Sequence, residues 1–504
     1  MDEKVNAGDA DSLQRASTGI PGLDDVLLGG FLVENVYLIQ GTPGSGKTTL
    51  GMQFLIEGVR RGETGLYVTL SESKKEIQAV AKSHGWSLDG ITLFEMEATS
   101  TRLKAAEEYT VFPADEVELD ETRERVYEEV QRLQPRRVVF DSLSELRLMA
   151  KDPLRYRRQI LSLKQFFSER MCTVLLLDDQ SAQSSDLQLQ SVSHGVLELP
   201  RRDQEYGVSR RQLRVVKMRG SNFQDGLHDY VIQRGGMVVF PRLVAAEHRC
   251  WTPPERVPSG LVELDALLGG GLDRGTSALV IGPAGAGKSA LMTQYAFAGV
   301  ERREAVACFV FEDSRERFVH RSAGFGRDLR NHVDAGRLTV QQVDPAELSP
   351  GEFAHTLKTS VEQRGVRLII IDSLNGYLNA MTNERFAITH VHELLMYLNQ
   401  QGVLTLVTMT QHGFLSEMQS PLDVSYLTDS VILLRYFEAQ GEIKQAISVV
   451  KNRDSSHERT IREFQITADG IRIGQPLRRF RGVLSGIPSY SGGETLLDSD
   501  DNAE

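Results

Sequence analysis

The chain has 504 residues, with 57 Lys and Arg against 69 Asp and Glu, a formal charge of −12, and is 40% hydrophobic and 25% charged. That length suits roughly two to four domains of ordinary globular composition, each able to bury a core. The charge disfavours a nucleic-acid binder held by bulk electrostatics, although a local basic patch would survive this test. Three scattered cysteines, Cys172, Cys250 and Cys308, form no CxxC pair, so buried thiols are expected rather than a disulfide framework or a zinc site.

In chain order, residues 1–14 (MDEKVNAGDADSLQ) predict a flexible acidic arm, unlike a signal peptide. No apolar run reaches the roughly 18 residues needed to span a bilayer, so the chain reads as cytoplasmic and without a membrane partner. A first domain over 15–247 carries the apolar runs VYLI (36–39), LYVTL (66–70), RVVF (137–140) and TVLLL (173–177). A linker at 248–257 holds Pro253 and Pro254. The second domain, 258–488, repeats the pattern with ALVI (278–281), VACFVF (306–311), LIII (368–371) and VLTLV (403–407). Near-continuous β-branched runs separated by helical patterns predict an α/β fold with a buried parallel sheet in each domain. RRQLRVVKMRG (210–220) and IKQAISVVKNR (443–453) alternate like strands of an antiparallel ribbon, and 489–504 predicts an acidic disordered tail.

The two domains are one unit written twice. GIPGLDDVLLGGF from Gly19 matches GLVELDALLGGGL from Gly260, and GTPGSGKT (41–48) matches GPAGAGKS (282–289) at the same offset of 241 residues. LSES (70–73) and FEDS (311–314) keep it, whereas the strand-ending Asp141 and Asp372 stand 231 apart. The period is too long for a solenoid.

Each GxxxxGK[ST] motif follows an apolar strand and opens a helical pattern, the context of a phosphate-binding loop. Gly44, Ser45, Gly46, Lys47, Thr48 and Thr49 form the first candidate nucleotide site, and Gly285, Ala286, Gly287, Lys288, Ser289 and Ala290 the second. Glycines let backbone N–H groups curl round phosphates, the lysines reach the β- and γ-phosphates of ATP, and the Thr48 and Ser289 hydroxyls suit Mg²⁺. Asp141 and Asp372, each ending a buried strand, supply the second metal-orienting group. Hydrolysis needs a carboxylate to polarise water, and Glu72, Glu312 and Asp313 are the candidates. This reading takes LYVTL as the strand beside the phosphate-loop strand, so that Glu72 faces the γ-phosphate.

These segments, together with TDSVILLRYFEAQGEIKQAISVVKNR (428–453), IREFQI (461–466) and RRFRGVLSGIP (478–488), resemble the KaiC family of bacterial circadian-clock ATPases over about residues 15–490. The resemblance implies two tandem RecA-like domains in a homohexamer, with ATP at subunit interfaces. It further implies a first ring that hydrolyses ATP slowly and a second that also autophosphorylates. By the same resemblance Lys217, Arg219 and His228 reach a neighbour's nucleotide from the first domain, and Lys451 and Arg453 from the second. A cation supplied in trans stabilises charge on the transferring phosphoryl group.

The departures carry their own expectations. The family's Glu-Glu pair becomes Ser71-Glu72 in the first copy and Glu312-Asp313 in the second, which puts hydrolysis by the first domain in question. Its Ser-Thr acceptor pair becomes Ser425-Tyr426, leaving Ser425 as the phospho-acceptor, and Asp454 replaces a glycine after the second basic pair. The short acidic end does not match the segment that binds KaiA, so KaiA is not expected as a partner, whereas a KaiB-like or two-component signalling partner is compatible. Two alternatives share the fold: a RecA-like recombinase or helicase, and an ATP-gated assembly module without kinase activity. Against DNA, residues 178–194 and 410–424, which would line the channel, contain no Lys or Arg. This argument outweighs net charge, because residues 1–12 and 494–504 carry −8 of the −12.

Overall fold

A computed structural model describes residues 14–96, 114–150, 152–179, 186–203, 207–248, 253, 255–379, 381, 384–411, 425–439, 441–453, 456–478, 480–483 and 489–490. Most of the N-terminal arm and acidic tail, residues 180–185 of the first channel loop, most of the second, Cys250 and Asp454 lie outside the described residues. The chain divides into two compact units, Met1–Arg242 and Leu243–Glu504.

In the first unit six parallel strands stand in the order 195–199, 36–41, 173–179, 137–141, 65–69, 91–95. Strands 210–218, 228–233 and 236–240 extend the first edge as an antiparallel ribbon. The second unit repeats the plan: parallel strands 430–439, 277–282, 404–410, 366–372, 305–310 and 338–342, then the ribbon 442–452, 461–467 and 470–476. The expected mostly parallel α/β architecture is therefore present twice.

Alternation along the strands explains why both faces are covered. Tyr37 and Ile39 join Leu50, Met52, Phe54 and Leu55 of helix Lys47–Arg60 in one core. Val36 and Leu38 point the other way, into a core with Ile160, Leu163 and Phe167 of helix Pro153–Ser168. Each such side chain contributes about 1.5–3 kcal/mol by leaving water. Cys172 and Cys308 are buried and free, with burial raising both thiol pKa values.

The division between units falls ahead of the proline-rich 248–257 stretch. Ala245 is buried in a core of the second unit, and its N–H donates to Glu393 Oε2 at 3.1 Å. Gln401 Nε2 donates to the His248 carbonyl at 2.7 Å. Packing of 245–248 onto helix Glu384–Gln400 and the residues after it places the second unit's start before the prolines.

Arg137 fastens the first sheet to its entrance. Its guanidinium is 1% exposed, bonds Glu63 and the carbonyls of Ser17 (2.7 Å) and Phe54 (2.8 Å), and lies over the Phe54 ring. Arg137→Ala removes the donor shared by the Ser17 and Phe54 carbonyls and the Glu63 carboxylate. The expected cost to the first unit is about 3 kcal/mol, read by denaturant unfolding.

Candidate active sites

Each phosphate loop lies at the C-terminal edge of its sheet. Gly41 ends a fully buried strand and Lys47 opens the next helix; Gly282 and Lys288 do the same in the second unit. Gly46 has φ +93°, and a Cβ there would stand 2.5 Å from Ile232 Cδ1. Gly287 repeats this at φ +100°, with Phe464 Cε1 2.6 Å from the same point. Only glycine accepts both the left-handed backbone and the apolar wall behind it. The ribbon supplies that wall and also braces the loops. Tyr230 donates to the Ser45 carbonyl, Tyr436 to that of Ala284 (3.2 Å), and Gln445 Nε2 to that of Gly285 (3.2 Å). No motif marks these braces in the sequence.

The loops fit a phosphate chain and its metal. Gly44 and Gly285 are also left-handed, and Thr49 and Ala290 are buried on the first helical turn. Ser45 Oγ is buried with no hydrogen-bond partner among the described residues, and the buried Ala286 takes its place in the second loop. Lys47 Nζ folds back onto the carbonyls of Gly41 (3.0 Å) and Thr42 (3.3 Å) and pairs with Asp179 Oδ1 at 2.6 Å. Lys288 Nζ folds onto Gly282 (3.0 Å) and Pro283 (2.8 Å). Burial lowers the Lys288 pKa, while the charges of Asp372 and Glu312 pull it upward.

Thr48 Oγ1 donates to Asp141 Oδ2 at 2.8 Å, and the Tyr67 hydroxyl bonds the same oxygen. Burial raises the Asp141 pKa, opposed by those two hydrogen bonds. Asp372 instead accepts from Thr408 Oγ1 at 2.5 Å. Among the described residues no three His, Cys, Asp or Glu side chains form a metal cage. Each site could hold Mg²⁺ through one hydroxyl and one carboxylate, Thr48 with Asp141 and Ser289 with Asp372, phosphate oxygens completing the shell.

The acidic residues differ from expectation in placement. Strand Gly65–Thr69 does not adjoin the phosphate-loop strand; strands 137–141 and 173–179 stand between them. Glu72 is still near Asp141: burial, then the Asp141 charge, raises its carboxyl pKa, and its Oε2 is buried with no hydrogen-bond partner among the described residues. In the second unit Ser373 Oγ donates to Glu312 Oε1 at 2.6 Å, placing Glu312 beside Asp372. Asp313 is instead ion-paired with Arg321 at 2.8 Å, so the position beside the strand-end aspartate falls to Glu312. The acid on the strand that does adjoin the first loop is Asp179, which the motif reading missed; the two aspartates ending TVLLLDD were its only signal.

The basic residues lie at the far end of each sheet. Lys217 pairs with Val196 in the ribbon, and Arg219 N–H donates to the His194 carbonyl, level with the start of strand 36–41. Lys451 pairs with Val431, and its Nζ bonds the carbonyls of Ser425 (2.8 Å) and Thr428 (2.6 Å). Arg453 bonds the Tyr426 carbonyl at 3.0 Å. Strand 277–282 spans about 16 Å, so this edge and its own phosphate loop stand at opposite ends. His228 requires a correction. It is buried, with Nε2 bonded to the Gln224 carbonyl (3.0 Å) and Nδ1 to the Arg242 N–H (2.9 Å), so neither ring nitrogen is left for a neighbour's nucleotide.

A phosphate loop closing a parallel strand, with a strand-end aspartate two strands away, defines a P-loop nucleoside-triphosphatase of RecA-like type, here in tandem. The family model described as the KaiC ATPase matches residues 16–244 and 257–478. The circadian clock protein KaiC3 of Synechocystis is 30% identical over 490 residues, covering 96% of both chains. The circadian clock oscillator protein KaiC of Synechococcus elongatus is 28% identical over 498 residues, covering 97% of this chain and 94% of that protein. The chain belongs to the KaiC family of ATPases.

Two outcomes follow. Equilibrium binding should give two nucleotides per chain, falling to one in Lys47→Ala or Lys288→Ala and none in the double variant. Burial depresses the His228 pKa below its ordinary 6.5, so the unfolded chain takes up a proton in acid that the folded one refuses. Stability of the first unit is full above that value and declines as pH falls below it. Thermal melts between about pH 7.5 and 5.5 should show that slope. His228→Gln should remove part of it and cost about 2 kcal/mol at neutral pH.

Proposed function

We propose that the protein is a cytoplasmic homohexameric ATPase in which ATP and Mg²⁺ bind at subunit interfaces, with serine autophosphorylation by the second unit. The observation that carries this reading is the placement of Lys217, Arg219, Lys451 and Arg453 at the sheet end remote from their own phosphate loops. They serve a nucleotide only when a neighbouring copy presents one. Ser425 lies at that same end, five residues before strand Ser430–Ala439, so its phosphoryl donor is the neighbour's nucleotide.

When bound, Mg²⁺ neutralises charge on the phosphate oxygens. The remaining work falls to this chain. Lys288 and the loop N–H groups orient the phosphates, and Glu312 holds the attacking hydroxyl. As the bond from Ser425 Oγ to phosphorus forms, the bond from phosphorus to the departing ADP oxygen breaks and the hydroxyl proton passes to Glu312. With water in place of serine the same arrangement hydrolyses ATP. In the first unit Glu72, whose buried Oε2 has no hydrogen-bond partner among the described residues, takes the water.

After incubation with Mg·ATP, intact mass and peptide mapping should find one phosphate, on Ser425. Ser425→Ala should lose it while retaining turnover, and Glu312→Gln should lower second-site turnover about 100-fold or more. A wild-type chain free of phosphate contradicts the kinase part and leaves an ATP-gated assembly.

A further inference from the structure

The two phosphate loops differ in what holds the lysine. In the first unit Asp179 stands directly beside Gly41 on the adjoining strand, and its Oδ1 accepts from Lys47 Nζ at 2.6 Å. Its other oxygen accepts from Ser144 Oγ at 3.3 Å, and its N–H donates to that hydroxyl at 3.2 Å. The preceding Asp178 is buried and ion-paired with Arg147 at 2.6 Å, which fixes the end of the strand. The carboxylate is therefore held over the lysine from a rigid base.

In the second unit the same register puts Thr410 beside Gly282. Its backbone is tied to Asn375, N–H to Oδ1 at 2.7 Å and carbonyl to Nδ2 at 3.1 Å. Among the described residues no carboxylate pairs with Lys288. The asymmetry is thus one negative charge, at the point where a phosphate-loop lysine meets the γ-phosphate.

We propose that Asp179 is a specificity-determining residue that sets the first site against the γ-phosphate, so that this site holds ADP at least as firmly as ATP while the second prefers ATP. The inference rests on the reading of GTPGSGKT as a nucleotide site. To admit ATP, Lys47 must exchange the Asp179 carboxylate for phosphate oxygens. The displaced carboxylate then faces the γ-phosphate, like charge against like charge. ADP places no phosphoryl group there and meets less of this repulsion.

The test uses the full chain with the second site silenced by Lys288→Ala, comparing Asp179 with Asp179→Thr and the near-isosteric Asp179→Asn. Equilibrium binding of ADP and of a non-hydrolysable ATP analogue is measured in Mg²⁺. Both variants should bind the ATP analogue about tenfold more tightly, a change of about 1.4 kcal/mol, and ADP within about twofold of the parent. An unchanged ratio between the nucleotides, or weaker binding of the ATP analogue in both variants, overturns the proposal. The second result would make Asp179 a ligand of the metal–nucleotide complex. If the silenced chain binds neither nucleotide, the first-site reading itself falls, and the proposal with it.

Discussion

A buried parallel strand ending in a glycine loop fixes everything else in each unit. Because strand 36–41 has neighbours on both sides and cores on both faces, its C-terminal end is held rigidly, and the loop wraps round a point set by the sheet. The ribbon completes the wall: Ile232 and Phe464 stand where any Cβ at Gly46 or Gly287 would go. Backbone donors at a helix N-terminus and a folded-back lysine then make a ready phosphate site. That geometry also sends the basic strand ends away from their own loops. Lys217, Arg219, Lys451 and Arg453 then face a nucleotide only across a contact with another copy, which is why the proposed function couples assembly to chemistry.

The two copies have diverged inside a common frame. The first site has a preformed Thr48–Asp141 hydrogen bond, a half-buried Glu72 and a lysine paired with Asp179. The second has Asp372 bonded to Thr408, Glu312 bonded to Ser373, and a lysine bonded only to loop carbonyls among the described residues. The two sites therefore differ in the hydrogen bonds of the metal-orienting aspartate, of the adjacent glutamate and of the lysine.

The fold was legible because duplication, strand periodicity and the phosphate loops are local patterns. Strand order was less so: buried parallel strands read alike, and nothing in LYVTL shows that two strands separate it from the loop strand. His228 is named by the family resemblance, yet two backbone bonds that only the folded chain creates make it a core residue. Asp179 was visible as a residue but not as a partner of Lys47, because that contact depends on register between strands 132 residues apart in sequence. The packing of Ala245 into the second unit is likewise a tertiary contact that no proline signals.

In the proposed assembly, two nucleotide sites per chain are completed by neighbouring copies. Sedimentation velocity on the purified full chain, with and without Mg·ATP, addresses it directly. A ring of about six copies is expected with nucleotide and smaller species without it. A monomer under every nucleotide condition would contradict it.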